Sequence, residues 1–192
     1  MTMTATQCPQ SYQILRFDDF LAPDEAARTI HEVDALPWTF GWKSSKQMPG
    51  SHWHVDFDGG NTGKQEESIE ARVDHPIAHR LWARASGGPM CGHTLVRAYA
   101  NAHTYGVGGN PHLDRKEDGY WTMVYYPLEE WQPSWCGETV LFDHTGDIVY
   151  ASLPRPNRAI VFPANMMHAA RAVDRTCYRL RTCVVLKTKA PK

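Results

Sequence analysis

His112, Asp114 and His168 are the residues of this chain whose types and spacing point most directly to chemistry. Two imidazoles and one carboxylate are the ligand set of a mononuclear non-heme Fe(II) centre with open coordination positions. His112 and Asp114 are two residues apart, so on an extended strand their side chains lie on the same face. The sequence therefore predicts a ferrous site that this pair begins and that His168 completes from a later strand.

An arginine is the second part of the predicted site. Arg179 follows His168 in the next strand-like run, and a guanidinium can hold a carboxylate through two parallel hydrogen bonds. Arg181 would share the face of Arg179 on a strand and is the second candidate. Burying an arginine without a partner is costly, so a bound carboxylate would account for one of them. The alternative is that both are exposed on a half-wet face.

The chain contains a rival His-x-Asp pair, His54 and Asp56. No comparable sequence of a glycine turn, a histidine and an arginine follows it, so we interpret His54 as a pocket or surface residue. Zinc is the rival metal, because two histidines and a carboxylate also suit zinc hydrolysis. The helical His-Glu-x-x-His motif of many zinc hydrolases is absent. A β-barrel binding module without iron is the non-enzymatic alternative.

Composition limits the function further. A chain of 192 residues suits one domain, and 20 basic against 21 acidic residues give no basic surface for nucleic acid. No run of 18 apolar residues predicts a membrane span, and the polar first ten residues do not resemble a signal peptide. The five cysteines include no Cys-x-x-Cys, which suits free thiols in a reducing cytoplasm. We therefore expect a cytoplasmic protein without nucleic-acid or membrane partners.

The hydrophobic pattern predicts helices in the first half of the chain and short strands in the second. Helices are predicted from Pro23 to before Pro37 and over about 75–86, and 38–65 is an aromatic, glycine-rich loop, either a lid or a packed flap. The tail from Lys187 to Lys192 is expected to be frayed. Strands are predicted at 12–20, 94–100, 120–126, 139–142, 147–153, 159–162, 168–173 and 178–186. This order favours a barrel or sandwich supported by N-terminal helices.

Several segments carry a family resemblance. From about Tyr12 to Lys187 the chain resembles the 2-oxoglutarate and Fe(II)-dependent dioxygenases of the prolyl-4-hydroxylase-like branch. The segments that resemble it are "FDDFLAPDEAARTI", "RAYANAHTYGVGGNPHLD", "WTMVYYPLEEWQPSWCGETVLF", "RPNRAIVFPANMMHAARAV" and "YRLRTCVVL". Their order is specific for the superfamily and does not specify a substrate.

The resemblance implies a mainly β fold with N-terminal helices and a double-stranded β-helix core of the jelly-roll or cupin type. It implies one domain over 1–192, with support at about 12–90 and the core at about 94–186. Iron would be bound by the two histidines and the aspartate, and Arg179 would pair with the far carboxylate of 2-oxoglutarate. Tyr99 and Tyr126 match positions that approach this cosubstrate. Fe(II), 2-oxoglutarate and O2 are the expected cofactors, with ascorbate as a further candidate.

The resemblance and the residues define the reaction better than the substrate. Related halogenases have a small residue in place of the carboxylate, so Asp114 favours hydroxylation, with desaturation and cyclisation as alternatives. The expected substrate is a small molecule, either an amino acid or a biosynthetic intermediate; a peptidyl residue such as proline comes second. The candidate substrate contacts are Trp53, His54, Tyr105 and Trp121. The oligomeric state is left open.

Overall fold

Strands dominate the computed structural model, which describes residues 6–7, 13–43, 51–57, 68–70 and 73–191. Among these residues the elements in chain order are β1 (Thr6–Gln7), β2 (Leu15–Phe17), α1 (Pro23–Asp34), β3 (Thr39–Trp42), β4 (His52–Asp56), α2 (Pro76–Ser86), β5 (Thr94–His103), β6 (Tyr120–Tyr126), a 3-10 helix (Pro133–Trp135), β7 (Thr139–Phe142), β8 (Ile148–Ser152), β9 (Arg158–Pro163), β10 (His168–Ala170) and β11 (Arg181–Lys189).

Both predicted helices form where their termini predict them. Pro23 begins α1, with acidic side chains in its first turn, and Pro76 begins α2. A proline at the first helical position loses no hydrogen bond, because the amide there has no partner within the helix. Acidic side chains near the N-terminus stabilise the helix through their interaction with its dipole. Within the described residues, neither helix is long and apolar enough to cross a membrane.

Two antiparallel sheets carry the rest of the fold. The larger has the strand order β1-β2-β9-β6-β11-β5-β4-β3, and the smaller has the order β10-β7-β8. Strands β7 and β10 are paired in register, and β10 is further joined to the segment after β5 by a bridge between His168 and His112. This arrangement agrees with the predicted mainly β fold with N-terminal helices and a jelly-roll core.

The two faces of the larger sheet serve different purposes. Val184 and Leu186 of β11 belong to a hydrophobic core that also contains Val33 of α1 and Leu81 of α2. The alternate residues of the same strand point to the other face, where they line a cavity. The helices therefore support the sheet from behind and leave its opposite face free for a site.

Several predicted boundaries differ from the structure. Strands β2 (Leu15–Phe17) and β10 (His168–Ala170) are shorter than predicted, and the differences at β11 and in the loop 38–65 affect the site. β11 begins at Arg181 rather than 178 and continues to Lys189, so part of the expected tail is a strand paired on both sides. The expected loop 38–65 contains β3 and β4, and β4 pairs with β5. Residues 44–50 and 58–65 of that loop lie outside the described residues, so the choice between lid and flap stays open for them.

Candidate active site

The two sequence-distant histidines of the predicted triad are joined through their backbones. The amide of His112 donates to the carbonyl of His168 at 3.0 Å, and the amide of His168 donates back to His112 at 3.0 Å. The amide of Asp114 is held by the carbonyl of Ala164, also at 3.0 Å. Gly108 allows this approach, because a Cβ there would lie 2.8 Å from the carbonyl oxygen of Ala170. The strand pairing thus places the three side chains together.

Hydrogen bonds to the backbone fix how both imidazoles are oriented. Nδ1 of His112 lies 2.8 Å from the carbonyl oxygen of Asn110, and Nδ1 of His168 lies 2.9 Å from that of Met166. A carbonyl can only accept, so Nδ1 carries the proton and the Nε2 lone pair is free for a metal. The Nε2 atoms lie 3.5 Å and 3.7 Å from the oxygens of Asp114.

Asp114 is almost fully buried and is held at both oxygens. Thr122 donates its hydroxyl to Oδ2 at 2.6 Å, and Lys187 donates from Nζ to Oδ1 at 2.7 Å. Burial alone would raise the pKa of Asp114, but the charges of Lys187 and His168 hold that pKa well below its usual range. Burial lowers the pKa of His168 against the opposing attraction of Asp114. The site therefore presents a carboxylate and a neutral imidazole near neutral pH.

This donor set fits one Fe(II) ion. One ligand atom from each of His112, Asp114 and His168 lies within 4.8 Å of the others. All three side chains border a cavity, so a bound ion would be accessible from that cavity to further ligands. Among the described residues no other group of three metal-binding side chains is so close.

The cavity beside the triad measures about 580 Å³ and is floored by the larger sheet. Two paired strands supply most of its polar floor, every second residue facing inwards. The inward residues are Arg97, Tyr99, Asn101 and His103 on β5, and Arg181, Cys183, Val185 and Lys187 on β11. The register sets Arg97 beside Lys187 at the end near Asp114, and His103 beside Arg181 at the other end.

Arg181 lies at the end of the cavity away from Lys187 and is only 1% exposed. Its Nε donates to the carbonyl of Gly137 at 2.5 Å, and one terminal nitrogen donates to Oγ1 of Thr139 at 2.9 Å. Tyr126 donates its hydroxyl to the same Thr139 oxygen at 2.7 Å, and its ring centroid is 5.5 Å from the guanidinium carbon. No carboxylate of the described residues forms an ion pair with Arg181. By contrast, Arg80, Arg97 and Arg179 each form an ion pair with a carboxylate. A buried guanidinium without a carboxylate favours an anionic ligand.

Arg179 lies elsewhere, against the expectation that it binds the cosubstrate. It precedes β11 in a bend, its side chain is 44% exposed, and it pairs with Glu129 at 3.1 Å and Glu130 at 3.4 Å. The expectation assumed a strand from 178, which would have turned Arg179 and Arg181 to one face. Because the strand begins at Arg181, only Arg181 faces the cavity.

The two tyrosines have different positions. Tyr99 lines the cavity, and its ring lies 4.5 Å from the guanidinium carbon of Arg97 and 5.5 Å from Nζ of Lys187. Tyr126 reaches the site through Thr139 and Arg181, as described above. Burial raises the pKa of Tyr99, and it raises the pKa of Tyr126 to about 12, so both remain hydrogen-bond donors.

The four candidate substrate residues do not line the cavity. Trp53 packs on Phe40 with ring centroids 5.1 Å apart, and Tyr105 is 63% exposed. Trp121 lies on the opposite face of β6 and packs against the core, since its neighbour Thr122 is the residue that faces the cavity. His54 is buried behind the wall, where its ring stacks on Trp42 at 3.9 Å.

Trp42, Arg97 and Lys187 are cavity residues that the sequence reasoning missed. A β-bulge at Gly41, whose φ is +116°, interrupts the register of β3 with β4 directly before Trp42. Such a bulge redirects the following side chain. Arg97 shares the two-residue alternation of Tyr99, which could have identified it. Lys187 follows the alternation of β11, whereas the sequence predicts that it belongs to the frayed tail.

Residues 100–185 match the model of the 2OG-Fe(II) oxygenase superfamily. This segment contains the whole triad and Arg181. This segment is similar to the core of the 2OG-Fe(II) oxygenases. The predicted 2-oxoglutarate-dependent dioxygenase is thereby confirmed at the level of the superfamily, with Fe(II), 2-oxoglutarate and O2 as the cofactors that this family uses. Sequence comparison with curated proteins finds no relative of the oxygenase.

Solved structures extend the likeness over almost the whole chain. A Pseudomonas putida prolyl-4-hydroxylase is 17% identical, with 95% of each chain covered and a TM-score of 0.64. A Trichoplax adhaerens prolyl hydroxylase, in complex with a hypoxia inducible factor peptide fragment, is 14% identical over 93% of this chain and 84% of the other, with a TM-score of 0.62. HygX from Streptomyces hygroscopicus, with nickel, 2-oxoglutarate and hygromycin B bound, is 11% identical over 94% and 84%, with a TM-score of 0.67.

At these identities the likeness concerns the fold. It confirms the predicted double-stranded β-helix core and the resemblance to prolyl-4-hydroxylase-like oxygenases. The structures include one complex with a peptide and one with a small molecule, so the fold does not distinguish between the two substrate classes.

Proposed function

We propose that this oxygenase hydroxylates an unactivated C–H bond of a small molecule and converts 2-oxoglutarate to succinate and CO2. The amino acids and biosynthetic intermediates expected from the sequence are the proposed substrates. The observation that carries the proposal is one cavity with His112, Asp114 and His168 at one side and the buried Arg181 at its far end.

In this proposal His112, Asp114 and His168 bind the iron, and Arg181 binds the far carboxylate of 2-oxoglutarate. Bound iron would supply the activation of O2 and of the 2-oxo acid. Thr139 and Tyr126 fix the position of Arg181, and Thr122 and Lys187 fix both oxygens of Asp114. Residues that lock the rotamers of ligands determine how well a site is organised before substrate arrives.

We propose that Tyr99 contacts 2-oxoglutarate between the metal ligands and Arg181. Its buried hydroxyl remains protonated and can donate to a ligand oxygen in the cavity. The hydrophobic side chains Val124 and Val185 line the same space and exclude water from the reacting carbon.

The cavity favours a small molecule over a peptide. Trp42 and Lys43 at the end of β3 form part of its wall, and four basic side chains line it. A peptide binds through many main-chain contacts along a groove or a sheet edge. This cavity instead offers charged side chains as its main polar contacts, which suits a small polar ligand. A prolyl-type peptide hydroxylase is the second candidate, favoured by the two prolyl hydroxylases of the same fold.

The proposal can be tested with iron-reconstituted protein and a substrate panel. We expect O2-dependent succinate formation that a small-molecule substrate accelerates more than a proline-containing peptide does. A zinc-loaded sample controls for the hydrolase alternative, which predicts activity without O2 or 2-oxoglutarate. Acceleration by the peptide alone would favour the second candidate, and succinate production that neither iron nor O2 affects would contradict the oxygenase itself.

The proposal also includes the domain organisation and the cellular location. We propose one domain over the chain, supported by the hydrophobic core that α1, α2 and the central strands share. A cytoplasmic location is supported by the free thiols of Cys91, Cys136, Cys177 and Cys183.

A further inference from the structure

The cavity carries more positive charge than its acidic side chains and 2-oxoglutarate would neutralise once Fe(II) is bound. We propose that the primary substrate carries an oxyanion, a carboxylate or a phosphate, which binds to Arg97 and Lys43 beside Trp42. This inference rests on the proposed function and specifies the substrate class of the same cavity.

The charges of the cavity lining are strongly one-sided. Its basic side chains are Lys43, Arg97, Arg181 and Lys187, whereas Asp114 is its one acidic side chain among the described residues. Asp56 lies directly behind this wall, with Oδ1 at 3.2 Å from Arg97. Even with Asp56 counted, four cations stand against two carboxylates.

The cofactors do not remove this excess. Fe(II) would be neutralised by Asp114 and the near carboxylate of 2-oxoglutarate, and the far carboxylate would neutralise Arg181. Arg97 is matched by Asp56. Lys187, with a side chain only 17% exposed, contacts Asp114 at 2.7 Å and would have to share that carboxylate with the iron. The exposed Lys43 has no carboxylate partner among the described residues. An uncompensated cation in a site from which water is excluded is costly, so a substrate anion would stabilise the loaded enzyme.

Arg97 is the main proposed contact of that anion. Its side chain is 12% exposed, and its guanidinium carbon lies 4.5 Å from the ring centroid of Tyr99 and 5.4 Å from that of Trp42. One terminal nitrogen donates to Asp56, but the buried Nε has no hydrogen-bond partner among the described residues. A guanidinium offers five donors, so this arginine, whose side chain lines the cavity, retains unused donors.

Trp42 and Lys43 complete the proposed contact. The indole of Trp42 lies flat on the ring of His54, with an interplanar angle of 8°, which holds it as a fixed platform in the cavity wall. Lys43 follows at the end of β3 and lines the same wall. Arg97 is paired with Lys187 in the strand register, and Lys187 contacts Asp114. An anion bound here would place its substrate next to the metal ligands.

The test uses Mn(II), a metal suited to imidazole and carboxylate ligands, bound with 2-oxoglutarate. The probes are benzoate, phenyl phosphate and benzamide, whose proton relaxation reports their distance from Mn(II). We expect saturable relaxation of benzoate, of phenyl phosphate or of both, and at least a tenfold weaker effect on benzamide. The two anions distinguish a carboxylate from a phosphate. If benzamide behaves like the anions, or if no probe is relaxed, the inference is overturned.

Variants locate the bound anion. Arg97→Gln should weaken the anionic probe by about 30-fold or more, as expected for a charge-assisted contact at a desolvated site, and Arg97→Lys should recover part of it. Lys43→Gln, at an exposed position, should weaken it by about 2- to 5-fold. Arg28→Gln on α1 is the control, because α1 packs behind the sheet, and it should leave probe binding unchanged. Unchanged anion binding in both Arg97→Gln and Lys43→Gln would overturn the location.

Two further measurements separate the possible failures. Arg97→Gln removes one of the two partners of Asp56 and leaves only His54, so the double variant Arg97→Gln/Asp56→Asn tests the same contact without the remaining negative charge. Binding of Mn(II) and 2-oxoglutarate is measured before any probe is added. Failure of that step contradicts the proposed function, whereas failure of the probes on a loaded enzyme contradicts only the oxyanion.

Discussion

The chain contains the His-x-Asp pattern twice, and the structure uses the two pairs differently. His112 and Asp114 meet His168 at the cavity, and one donor atom of each lies within 4.8 Å of the others. His54 and Asp56 meet each other instead, with Nε2 of His54 at 3.1 Å from Oδ1 of Asp56. The spacing of a motif therefore brings two side chains to one face, and the elements opposite that face decide what they bind.

The difference between the pairs lies in the surroundings of Nε2, because Nδ1 of each histidine contacts a carbonyl oxygen. Nδ1 of His112 contacts a backbone carbonyl, which leaves Nε2 free for a metal. Nδ1 of His54 lies 2.7 Å from Oδ1 of Asn101, and its ring is covered by Trp42. Asp56 is further engaged by Arg97. The second pair is thus a structural polar network that holds the cavity wall.

Iron binding should separate the two pairs most clearly. Either His112→Ala or His168→Ala should lower iron affinity by more than about 100-fold, the upper value for losing only a hydrogen-bond partner of a ligand. His54→Ala should retain stoichiometric iron, since His54 lies outside the triad. Anaerobic iron titration of the folded variants measures both. Tight iron in the first two variants, or its loss in His54→Ala alone, would reverse the assignment.

The two arginines allow a second comparison of the same kind. Arg181→Ala should cost on the order of 2–5 kcal/mol of 2-oxoglutarate binding, because it removes a desolvated charge-assisted contact. The dissociation constant should rise by a factor of about 30 or more. Calorimetric titration of the metal-loaded variants with 2-oxoglutarate gives these constants.

The matched control is Arg179→Ala, which should leave the constant unchanged, since Arg179 pairs with Glu129 and Glu130 at the surface. The charge-preserving Arg181→Lys should lie between the wild type and Arg181→Ala. An unchanged constant in Arg181→Ala would remove this residue from the cosubstrate site.

A third comparison concerns how the buried His52 and the exposed His31 affect stability in acid. His52 stacks on His103 at 4.9 Å near the Arg181 end of the wall. Burial is the main cause that lowers the pKa of His52 to about 4. The unfolded chain therefore binds a proton that the folded chain excludes, and stability falls as the pH drops from about 6.5 towards 4. This contribution is on the order of 2 kcal/mol between about pH 7 and pH 5.

Denaturant unfolding at several pH values measures this effect. His52→Phe keeps a ring against His103 and should show a shallower loss of stability between about pH 7 and pH 5 than the wild type. His31→Gln, at an exposed position of α1, should leave the profile unchanged. Parallel profiles for the wild type and His52→Phe would show that this histidine does not titrate on unfolding.

The alternation of apolar residues and the residues that begin helices predict most elements of the fold. Strand β6 begins and ends where its alternation predicts, as does β7, and α1 and α2 begin at their prolines. These features depend on local geometry, which adjacent residues determine. The triad was also identifiable, because its three ligand types occur in one consistent order and two of them share a strand-like spacing.

The rest depended on where strands begin and on which strands become neighbours. A shift of the start of β11 to Arg181 left Arg179 in a bend at the surface, while Lys187 became part of the paired strand. Lys187 contacts Asp114 only because β11 lies between β5 and β6. The role of His54 likewise depends on Asn101 across β4 and β5 and on Trp42 above it. The sequence by itself determined the kinds of elements and the candidate metal ligands, because local backbone preference and residue chemistry act over a few residues. Only the tertiary structure decided which charged side chains are buried together, because that depends on pairing between strands far apart in the chain.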